Sequence, residues 1–570
     1  MSTINTIKDK VADGSFRDML NEAKWMFKYV RRYRAVVFIH ILMGVLGTAM
    51  SLLSSVAMKD LIDVVTGFQT GAVWSAAALM AGLMLGGVVM QALSSRIAAI
   101  ITIRVQNGIQ AEVYDRMLRT DWESLESFRS GDLLNRLNTD VSTVSSGVTG
   151  LLPGLITGTV QFLGSLIIIL IYDPIMALIA LIGAPLSVIC SRVLVKKMRS
   201  YNQRMKTISS EVMSFHEDSF QNMTSIKAFG IMDGFSNKML DMQGKYRDAY
   251  LEYNRFSVIT GMVMGIVGLI ISAGCFGWGV YRLWSHDISY GMMTMFLQLA
   301  TMLRSAFSSL IGLVPTAISV TTSAGRLMAV IELPEEPGAR EEAETDFTGC
   351  TVELKNVSFT YSGGEEPVLE NINFRICPGE LVALTGASGE GKTTIVRLLL
   401  GLVRPEKGTA EIVDADGKRF ALTAATRAAF SYVPQGNTVI AGSIADNLRL
   451  VRPDATEEEM IWALKTACAY EFVEKLPDGI YSSTGEKGKG FSEGQAQRIA
   501  VARALMRKAP VMILDEATSA LDEDTERRML KNLMSCGRIK SCIIITHRPA
   551  TADICYRRYV VRGTELSGGE

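Results

Sequence analysis

Several residue types that support common functional classes are scarce in this chain of 570 residues. The eight cysteines contain no Cys-x-x-Cys spacing, and the formal net charge of +0 gives no global basic field that would favour nucleic acid. No cleavable signal peptide is recognisable, because the first apolar run is too long for one. The four histidines are scattered without metal-ligand spacing: His40, His216, His286 and His547. A zinc site, a disulfide framework and a nucleic-acid partner are therefore disfavoured.

Apolar residues, in contrast, are abundant. The composition is 48% hydrophobic and 20% charged, and the mean hydropathy of +0.23 is high for a soluble protein. The first half of the chain carries roughly six runs of the ~20 residues needed to cross a bilayer. We place them near 35–58, 72–96, 146–171, 174–194, 257–283 and 290–316. Tyr172-Asp173-Pro174 separates the third run from the fourth, and these residues predict a tight turn at one membrane face.

The character of the chain changes near Leu333, after which strand-like runs, glycine turns and ordinary charge replace the long apolar runs. Between the two halves lies LPEEPGAREEAETDFTG, a Pro-, Glu- and Gly-rich segment typical of a linker. The sequence thus predicts an amphipathic N-terminal segment (1–32), a transmembrane domain (33–330), a linker (331–347) and a globular C-terminal domain (348–570).

Basic residues predict which side of the membrane each segment faces. Five arginines follow the second run, from Arg104 to Arg136, and eleven Lys or Arg residues follow the fourth, from Arg192 to Arg255. The opposite loops carry almost none, with Lys59 and Arg282 as exceptions near their ends. Because basic loops stay in the cytoplasm, we expect the N-terminus, both long loops and the C-terminal half to be cytoplasmic.

The two long cytoplasmic segments have apolar residues at helical spacing. They could be long connecting loops. The spacing favours membrane helices that continue into the cytosol and carry short cross-helices near Asp121–Ser127 and Met223–Phe229. The segment FRDMLNEAKWMFKYVRRYR before the first run is amphipathic and basic, and it is either a helix along the inner membrane surface or an ordinary soluble helix.

The strongest motif of the second half is LVALTGASGEGKTTIVRLLLGL. An apolar strand, Leu381–Leu384, leads into G-x-x-x-x-G-K-T and then into an apolar helix, which is the context of a phosphate-binding P-loop. Backbone N–H groups and the helix N-terminus favour bound phosphate, Lys392 reaches the β- and γ-phosphates, and the Thr393 hydroxyl ligates Mg²⁺. The predicted ATP-binding residues of this loop are Gly386, Ala387, Ser388, Gly389, Glu390, Gly391, Lys392, Thr393 and Thr394.

A second element supports ATP hydrolysis. Val511–Asp515 is an apolar strand that ends in two carboxylates, Asp515 and Glu516. Asp515 is placed to hold Mg²⁺, and Glu516 is placed to polarise the attacking water as a general base. The alternative is that these carboxylates only form an acidic turn after a buried strand. The presence of the P-loop favours the catalytic interpretation over this alternative.

Further motifs lie around these two in a fixed order. Gln435 lies in SYVPQGN, FSEGQAQRIAVARAL begins at Phe491, Ser519-Ala-Leu-Asp522 follows Glu516, and His547 lies in IIITHRP. This series resembles the nucleotide-binding domain of ABC transporters, and the whole chain resembles an exporter-type ABC half-transporter. The resemblance covers nearly all of the chain. It implies a multidomain fold in which an all-α, six-helix transmembrane domain precedes an α/β P-loop ATPase domain of ABC type.

The resemblance also implies residue roles. Tyr361 matches the aromatic that stacks on adenine, and Gln435 matches the glutamine that contacts Mg²⁺ and the lytic water. His547 matches the histidine that contacts the γ-phosphate. Residues 485–488, Gly-Glu-Lys-Gly, resemble a segment that communicates with the cross-helices. The remaining matches lie on the surface that completes the ATP site of a second nucleotide-binding domain: Ser492, Gly494, Gln495 and Asp522.

The signature motif departs from the family pattern of Leu-Ser-Gly-Gly-Gln, since Glu493 stands where glycine is usual. A Glu493 side chain that points away from the ATP site costs nothing, and one that points inward weakens the partner's site. One signature segment per chain implies a dimer with a second half-transporter. We expect a homodimer, and one half of a heterodimer with asymmetric ATP sites is the alternative.

The transported substrate is the least specified feature. Many methionines in the predicted spans fit either adaptable apolar contacts or ordinary packing, and few ionisable groups lie deep in the spans. These features and the resemblance predict ATP- and Mg²⁺-dependent export of a lipophilic compound, lipid or peptide by alternating access. The predicted location is a bacterial inner membrane. A non-transporting, ATP-gated membrane regulator is the alternative from another class.

Overall fold

The computed structural model describes residues 15–67, 71–128, 130–340, 347–364, 366–436, 439–485, 490–537 and 539–568. The chain divides into two compact units. The first unit comprises residues 1–114 and 131–330, and the second comprises residues 115–130 and 331–570. The boundary at Val330 coincides with the predicted end of the transmembrane domain. Residues 115–130, however, belong to the second unit although they lie far upstream of it in the sequence.

Long helices build the first unit. Their bounds are α1 Ser15–Arg32, α2 Arg34–Val65, α3 Val73–Arg119, α5 Ser130–Asn135, α6 Val141–Tyr172, α7 Pro174–Gln221, α8 Met223–Ala228, α9 Met232–Trp284 and α10 Tyr290–Ile331, with α4 Trp122–Glu126 in the second unit. A π-helical turn, Arg136–Asp140, makes α5 and α6 continuous. The helices α3, α7 and α9 have 47, 48 and 53 residues.

Four helices of the described part of the chain confirm the prediction of membrane spans, but not the predicted count of six. Arg34–Val65, Val73–Arg119, Gly131–Tyr172 and Tyr290–Ile331 are long and apolar enough to cross a membrane. They contain the first, second, third and sixth predicted runs, while the fourth and fifth lie inside α7 and α9. At 1.5 Å per residue, α3, α7 and α9 are about 70–80 Å long, more than twice a hydrocarbon core of ~30 Å. The prediction of helical extensions is therefore confirmed, and the connecting-loop interpretation is wrong.

The predicted tight turn lies between α6 and α7. Asp173 caps α7, since its Oδ1 accepts hydrogen bonds from the backbone N–H groups of Ile175 and Met176, both at 3.0 Å. Its Oδ2 accepts a hydrogen bond from Trp278 Nε1 at 3.2 Å. The carboxylate thus fixes the turn and ties it to α9.

The N-terminal segment forms a helix, as its amphipathic pattern predicts. The first 14 residues lie outside the described part, and α1 begins at Ser15. Met26 and Tyr29 of α1 are buried, and Tyr29 Oη donates a hydrogen bond of 2.9 Å to Glu112 of α3. The apolar face of α1 therefore packs against protein, within the first unit.

The second unit contains two sheets and a set of helices. Its strands are β1 Thr351–Phe359, β2 Leu369–Ile376, β3 Leu381–Gly386, β4 Lys407–Val413, β5 Arg419–Ala421, β6 Phe430–Val433, β7 Val511–Asp515, β8 Ser541–Ile545, β9 Arg557–Arg562 and β10 Glu565–Gly568. Its helices, besides α4, are α11 Lys392–Leu399, α12 Ile444–Arg449, α13 Glu457–Thr466, α14 Tyr470–Val473, α15 Glu493–Met506, α16 Glu523–Ser535 and α17 Pro549–Ala552, with 3₁₀ turns at Ala425–Ala429 and Gly479–Tyr481.

The topology of the larger sheet positions the functional residues. Its strand order is β10-β9-β3-β8-β7-β6, and β9, β3, β8, β7 and β6 run parallel. The strands β7 and β8 are buried along their whole length, as their continuous apolar runs predict. The P-loop, Asp515, His547 and Gln435 follow β3, β7, β8 and β6. Because ligands bind outside the carboxyl ends of parallel strands, these residues share the edge at which a nucleotide site is expected.

The predicted linker is bound to other parts of the second unit. Its residues 341–346 lie outside the described part. Thr120 and Glu335 form an antiparallel bridge, Arg116 pairs with Glu335, and Glu336 forms a bidentate ion pair with Arg427 at 2.6 and 3.0 Å. The start of the linker therefore joins the end of α3 to the ATPase fold, which explains why residues 115–130 cluster with the second unit.

Candidate functional site

The P-loop joins β3 to α11, as its motif predicts. Gly386, Gly389 and Gly391 have φ values of +151°, +88° and +96°, which L side chains rarely adopt. A Cβ at Gly391 would also lie 3.0 Å from Leu369 Cδ2. Lys392 is 7% exposed, and its Nζ donates hydrogen bonds to the carbonyls of Gly386 and Ala387 at 2.9 and 2.6 Å. The lysine therefore lies over the loop, where it can reach bound phosphate.

Glu390 adds a contact that the motif does not require. Its Oε2 accepts a hydrogen bond from the backbone N–H of Ala387 at 2.6 Å. This hydrogen bond between Glu390 and Ala387, three residues earlier, stabilises the turn of the loop. Ser388, Gly389 and Thr393 are exposed at the mouth of the loop.

The structure brings the three predicted catalytic residues together. Gln435 Nε2 donates a hydrogen bond to Glu516 Oε2 at 2.6 Å, and His547 Nε2 lies 3.0 Å from Glu516 Oε1. The backbone N–H of Glu516 donates to the carbonyl of Ile545 at the end of β8, and this contact fixes Glu516 beside the histidine-bearing loop. Glu516 has a φ of +50°, a strained conformation for a residue with a side chain. Such strain is common where a catalytic group must be aimed.

Asp515 is 6% exposed at the end of β7, beside this group. Burial raises the pKa of its carboxyl, and the hydrogen bond that Tyr432 Oη donates to its Oδ2 at 3.1 Å opposes the shift. Sequence reasoning missed Tyr432, which lies in the same SYVPQ segment as Gln435. No local signal in the sequence could have found it, because its contact with Asp515 depends on the pairing of β6 with β7.

The signature residues form the N-terminus of α15. Ser492 is the N-cap, and it forms a capping box with Gln495: Gln495 N donates to Ser492 Oγ at 3.3 Å, and Ser492 N donates to Gln495 Oε1 at 2.9 Å. Glu493 is exposed in the first turn, where a carboxylate favours the positive end of the helix dipole. Exposure in one chain is compatible with both orientations toward the partner's ATP site, so the effect of Glu493 stays a prediction.

Close packing explains why position 494 of the signature is glycine. A Cβ there would lie 2.7 Å from the carbonyl oxygen of Ala520, so α15 approaches the loop after Glu516 closely. Asp522 ends that loop as the N-cap of α16, and hydrogen bonding from the Thr525 backbone lowers the pKa of its carboxyl. The signature and the Asp522 loop therefore form one surface. Residues 486–489, which precede the signature, lie outside the described part.

Tyr361 lies next to α11 and contacts two of its residues. Its Oη lies 3.0 Å from Thr394 Oγ1 and accepts a hydrogen bond from Arg397 Nη1 at 2.8 Å. The ring packs edge-on against Phe359, with centroids 4.8 Å apart. The hydroxyl of Thr394 is thus directed to Tyr361, while the exposed Thr393 remains available for a metal.

Sequence reasoning also missed Arg397 and its neighbours from α4. The Arg397 guanidinium lies 4.0 Å from the ring centroid of Trp122 and 5.6 Å from that of Tyr361. Glu123 Oε1 accepts a hydrogen bond from the backbone N–H of Ser362 at 2.5 Å. No local sequence pattern could have paired residues this far apart in the chain. Their contact becomes visible only in the structure, where residues 115–130 and 331–570 form one compact unit.

The residues at this edge fit ATP with Mg²⁺. The buried ammonium of Lys392 and the glycine-lined turn suit phosphates, Thr393 and Asp515 supply the oxygen ligands that Mg²⁺ prefers, and the Tyr361 ring suits an adenine. Bound Mg²⁺ would neutralise phosphate charge during transfer to water. The chain's own residues would hold the phosphates, and Glu516 would orient the water.

Comparisons with known proteins agree with this geometry. Residues 37–307 match the family model described as ABC transporter transmembrane region, and residues 369–519 match the model described as ABC transporter. The chain is 28% identical to an ATP-dependent lipid A-core flippase of Methylobacillus flagellatus, over 82% of this chain and 79% of the relative. It is 26% identical to a multidrug resistance ABC transporter ATP-binding and permease protein of Lactococcus lactis, over 93% and 89%.

A solved structure shows the same fold. The structure of a bacterial Atm1-family ABC exporter with ATP bound superposes with a TM-score of 0.79, at 23% identity and over 94% of both chains. The order of units, a helical membrane domain followed by an α/β ATPase domain, is therefore confirmed. The chain belongs to the ABC transporters and is an exporter-type half-transporter, an ATPase coupled to the movement of a substrate across a membrane.

Proposed function

We propose that two copies of this chain form a homodimeric exporter that uses Mg²⁺ and ATP, with both ATP sites active. The observation that carries this proposal is that Gln435 and His547 each lie within hydrogen-bonding distance of Glu516. A chain that only senses ATP has no need of a general base held by an amide and an imidazole. The intact half of a heterodimer would carry the same group, so hydrolysis by the protein purified alone distinguishes the two arrangements.

Each ATP site would be completed by the partner copy. Ser492 is exposed at the N-terminus of α15, which also contains Gly494 and Gln495. A helix N-terminus is suited to bind the γ-phosphate of a nucleotide held by another chain's P-loop. ATP would then hold the two ATPase units together, and hydrolysis would release them and drive alternating access of the membrane helices.

The second short cross-helix, α8, would bind the partner copy. Phe220 and Phe229 flank it and are 73% and 77% exposed. In the second unit, a cavity of about 330 Å³ has an aromatic and apolar wall and three arginines: its lining is Leu400, Leu402, Arg427, Phe430, Ser431, Tyr432, Val451, Arg503, Ala504 and Arg507. The acidic Glu217 and Asp218 beside α8 are opposite in charge to the arginines of this cavity, of which Arg427 is paired with Glu336. The partner's cavity can therefore accept α8, next to Tyr432 and the Mg²⁺ ligand Asp515.

The cargo we propose is amphiphilic, a lipid or another lipophilic compound with a polar group, or a peptide. The relatives named above are a lipid A-core flippase and a multidrug resistance protein. A cavity of about 520 Å³ between α6 and α10 is lined by hydroxyl side chains beside Pro315 and Val320: Ser142, Thr143, Ser146, Thr316 and Ser319. Hydroxyls can bind polar groups without adding charge to the membrane domain. We further propose a bacterial inner membrane location, with the N-terminus and the ATPase unit in the cytoplasm.

The test is ATP hydrolysis by the protein purified alone in lipid nanodiscs. We expect steady-state hydrolysis that a Glu516→Gln substitution abolishes while ATP binding persists, because the amide cannot accept a proton from water. A wild-type chain that is inactive alone, yet active with a second half-transporter, would establish the heterodimer. Hydrolysis without movement of any candidate cargo into sealed vesicles would favour the regulator.

A further inference from the structure

Arg397 lies between two aromatic rings at the ATP site. Its guanidinium is 4.0 Å from the Trp122 ring centroid and 5.6 Å from the Tyr361 ring centroid. Nη1 donates a hydrogen bond of 2.8 Å to Tyr361 Oη, and Nη2 lies 3.8 Å from Glu126 Oε1. The side chain is 26% exposed. The guanidinium is therefore held by contacts on several sides.

The contacts of Arg397 connect α4 with the residue that we assign to adenine. Trp122 and Glu126 are the two ends of α4, while Tyr361 precedes the P-loop. Glu123, between them, accepts the backbone N–H of Ser362, the residue after Tyr361. Glu123 thus contacts the segment that carries the Tyr361 ring directly, while Trp122 and Glu126 contact it through Arg397.

The same arginine is linked to the phosphate end of the site. Arg397 lies on α11, whose first residues are Lys392 and Thr393. The Tyr361 hydroxyl also lies 3.0 Å from Thr394 Oγ1. A shift of Arg397 would therefore move the tyrosine ring relative to a helix whose N-terminus faces the phosphates.

We propose that Arg397 is a positioning residue for adenine, clamped between Trp122 and Tyr361, so that the nucleobase part of ATP affinity depends on the placement of α4. This inference rests on the proposed role of Tyr361. A planar cation can stack on the Trp122 ring and at the same time donate a hydrogen bond in its own plane to the Tyr361 hydroxyl. A methionine of similar length would keep the packing and lose both the charge and the hydrogen bond to Tyr361.

The experiment distinguishes the contribution of the adenine base to ATP affinity from that of the phosphates. In the full-length protein in nanodiscs, on a Glu516→Gln background, binding of Mg-ATP is compared with binding of inorganic tripolyphosphate. We expect Arg397→Met and Trp122→Leu each to weaken ATP binding about fivefold. Tripolyphosphate binding should change less than about twofold, because the P-loop is intact. Arg419→Met is the matched control, since Arg419 pairs with Glu353 and Glu411 on the other sheet, and it should change neither.

Two further variants make each outcome decisive. If Arg397→Met weakens ATP and tripolyphosphate equally, or neither, the clamp is overturned. Tyr361→Ala should weaken ATP selectively. If it does so while Arg397→Met does not, only the clamp fails, whereas no effect of Tyr361→Ala overturns the assignment of Tyr361 itself. The double variant of Trp122 and Arg397 should lose no more ATP affinity than either single variant, and additive losses would show that the two side chains act separately.

Discussion

The two short cross-helices, α4 and α8, differ in the contacts that they make within one chain. Helix α4 is capped by Asp121, whose Oδ2 accepts hydrogen bonds from the N–H and hydroxyl of Ser124, both at 3.2 Å, and it contacts Arg397 of its own ATPase unit. Asn222, at the N-cap of α8, forms no capping hydrogen bond to it. The aromatic residues beside α8 are exposed. Within one chain, the first cross-helix is therefore held by its own ATPase unit, whereas the second buries Ile226 and leaves the aromatic residues beside it exposed.

Our proposal connects this difference with the pairing of two half-transporters. A helix of six residues is too short to be stable without tertiary contacts, and exposed aromatic side chains beside such a helix are typical of a binding surface. Our proposal assigns that surface to the partner's ATPase unit. Each ATP site would then receive one cross-helix from its own chain and one from the partner.

The largest effect is expected from the exposed aromatic residue beside α8. Phe229→Asp would place a charge against the apolar wall of the partner's cavity, at a cost of several kcal/mol if it stays buried there. We expect cargo transport into vesicles to be lost and cargo stimulation of ATP hydrolysis to disappear. ATP binding should persist, because the P-loop is untouched.

The control for this prediction is Tyr556→Asp. Tyr556 is also highly exposed, at 73%, but it lies after α17 in the ATPase unit. If both substitutions abolish transport, a general loss of stability is the cause. If Phe229→Asp transports normally, the assignment of α8 to the partner is wrong.

A moderate effect should distinguish the caps of the two helices. Loss of an N-cap typically costs about 1 kcal/mol, so Asp121→Ala should loosen α4 and lower cargo-stimulated ATP hydrolysis about two- to fivefold. Asn222→Ala removes a hydrogen bond to the Asp218 carbonyl but no cap, and we expect little change. Equal effects of the two substitutions on stimulated hydrolysis would show that the cap does not distinguish the two helices.

The smallest effect is expected at the ion pair between Glu126 and Arg397. The pair is separated by 3.8 Å and Glu126 is 51% exposed, so solvent screens it and its contribution is at most about 0.5 kcal/mol. Glu126→Gln should change the KM for ATP less than about threefold. A change as large as that of Trp122→Leu would mean that charge, and not ring stacking, holds Arg397.

The sequence predicts those features that depend on neighbouring residues. The P-loop follows a strand and opens a helix, and Asp515 and Glu516 follow a continuous apolar run, so each motif carries its own structural context. The long helical extensions also follow from the periodicity of their apolar residues. The same local logic predicted α4 and α8 at their observed positions.

Contacts between distant residues could not be predicted in this way. The pair of Trp122 and Arg397 joins segments far apart in the sequence, and a lone arginine on an ATPase helix resembles any solvated charge. The contact of Tyr432 with Asp515 depends on the pairing of β6 with β7, which a single strand pattern does not reveal. The place of residues 115–130 in the second unit follows from the bridge between Thr120 and Glu335, two residues that carry no motif.

The most direct test of the central claim is a photocrosslink from residue 229. A photoreactive phenylalanine analogue replaces Phe229 in one tagged copy, which is reconstituted with an untagged copy of different size and irradiated. We predict a product with the combined mass of both chains, in which residue 229 is joined to the partner's segment around Val451 or Leu402. A product of single-chain mass, with residue 229 joined to its own ATPase unit, would contradict the claim that the second cross-helix belongs to the partner.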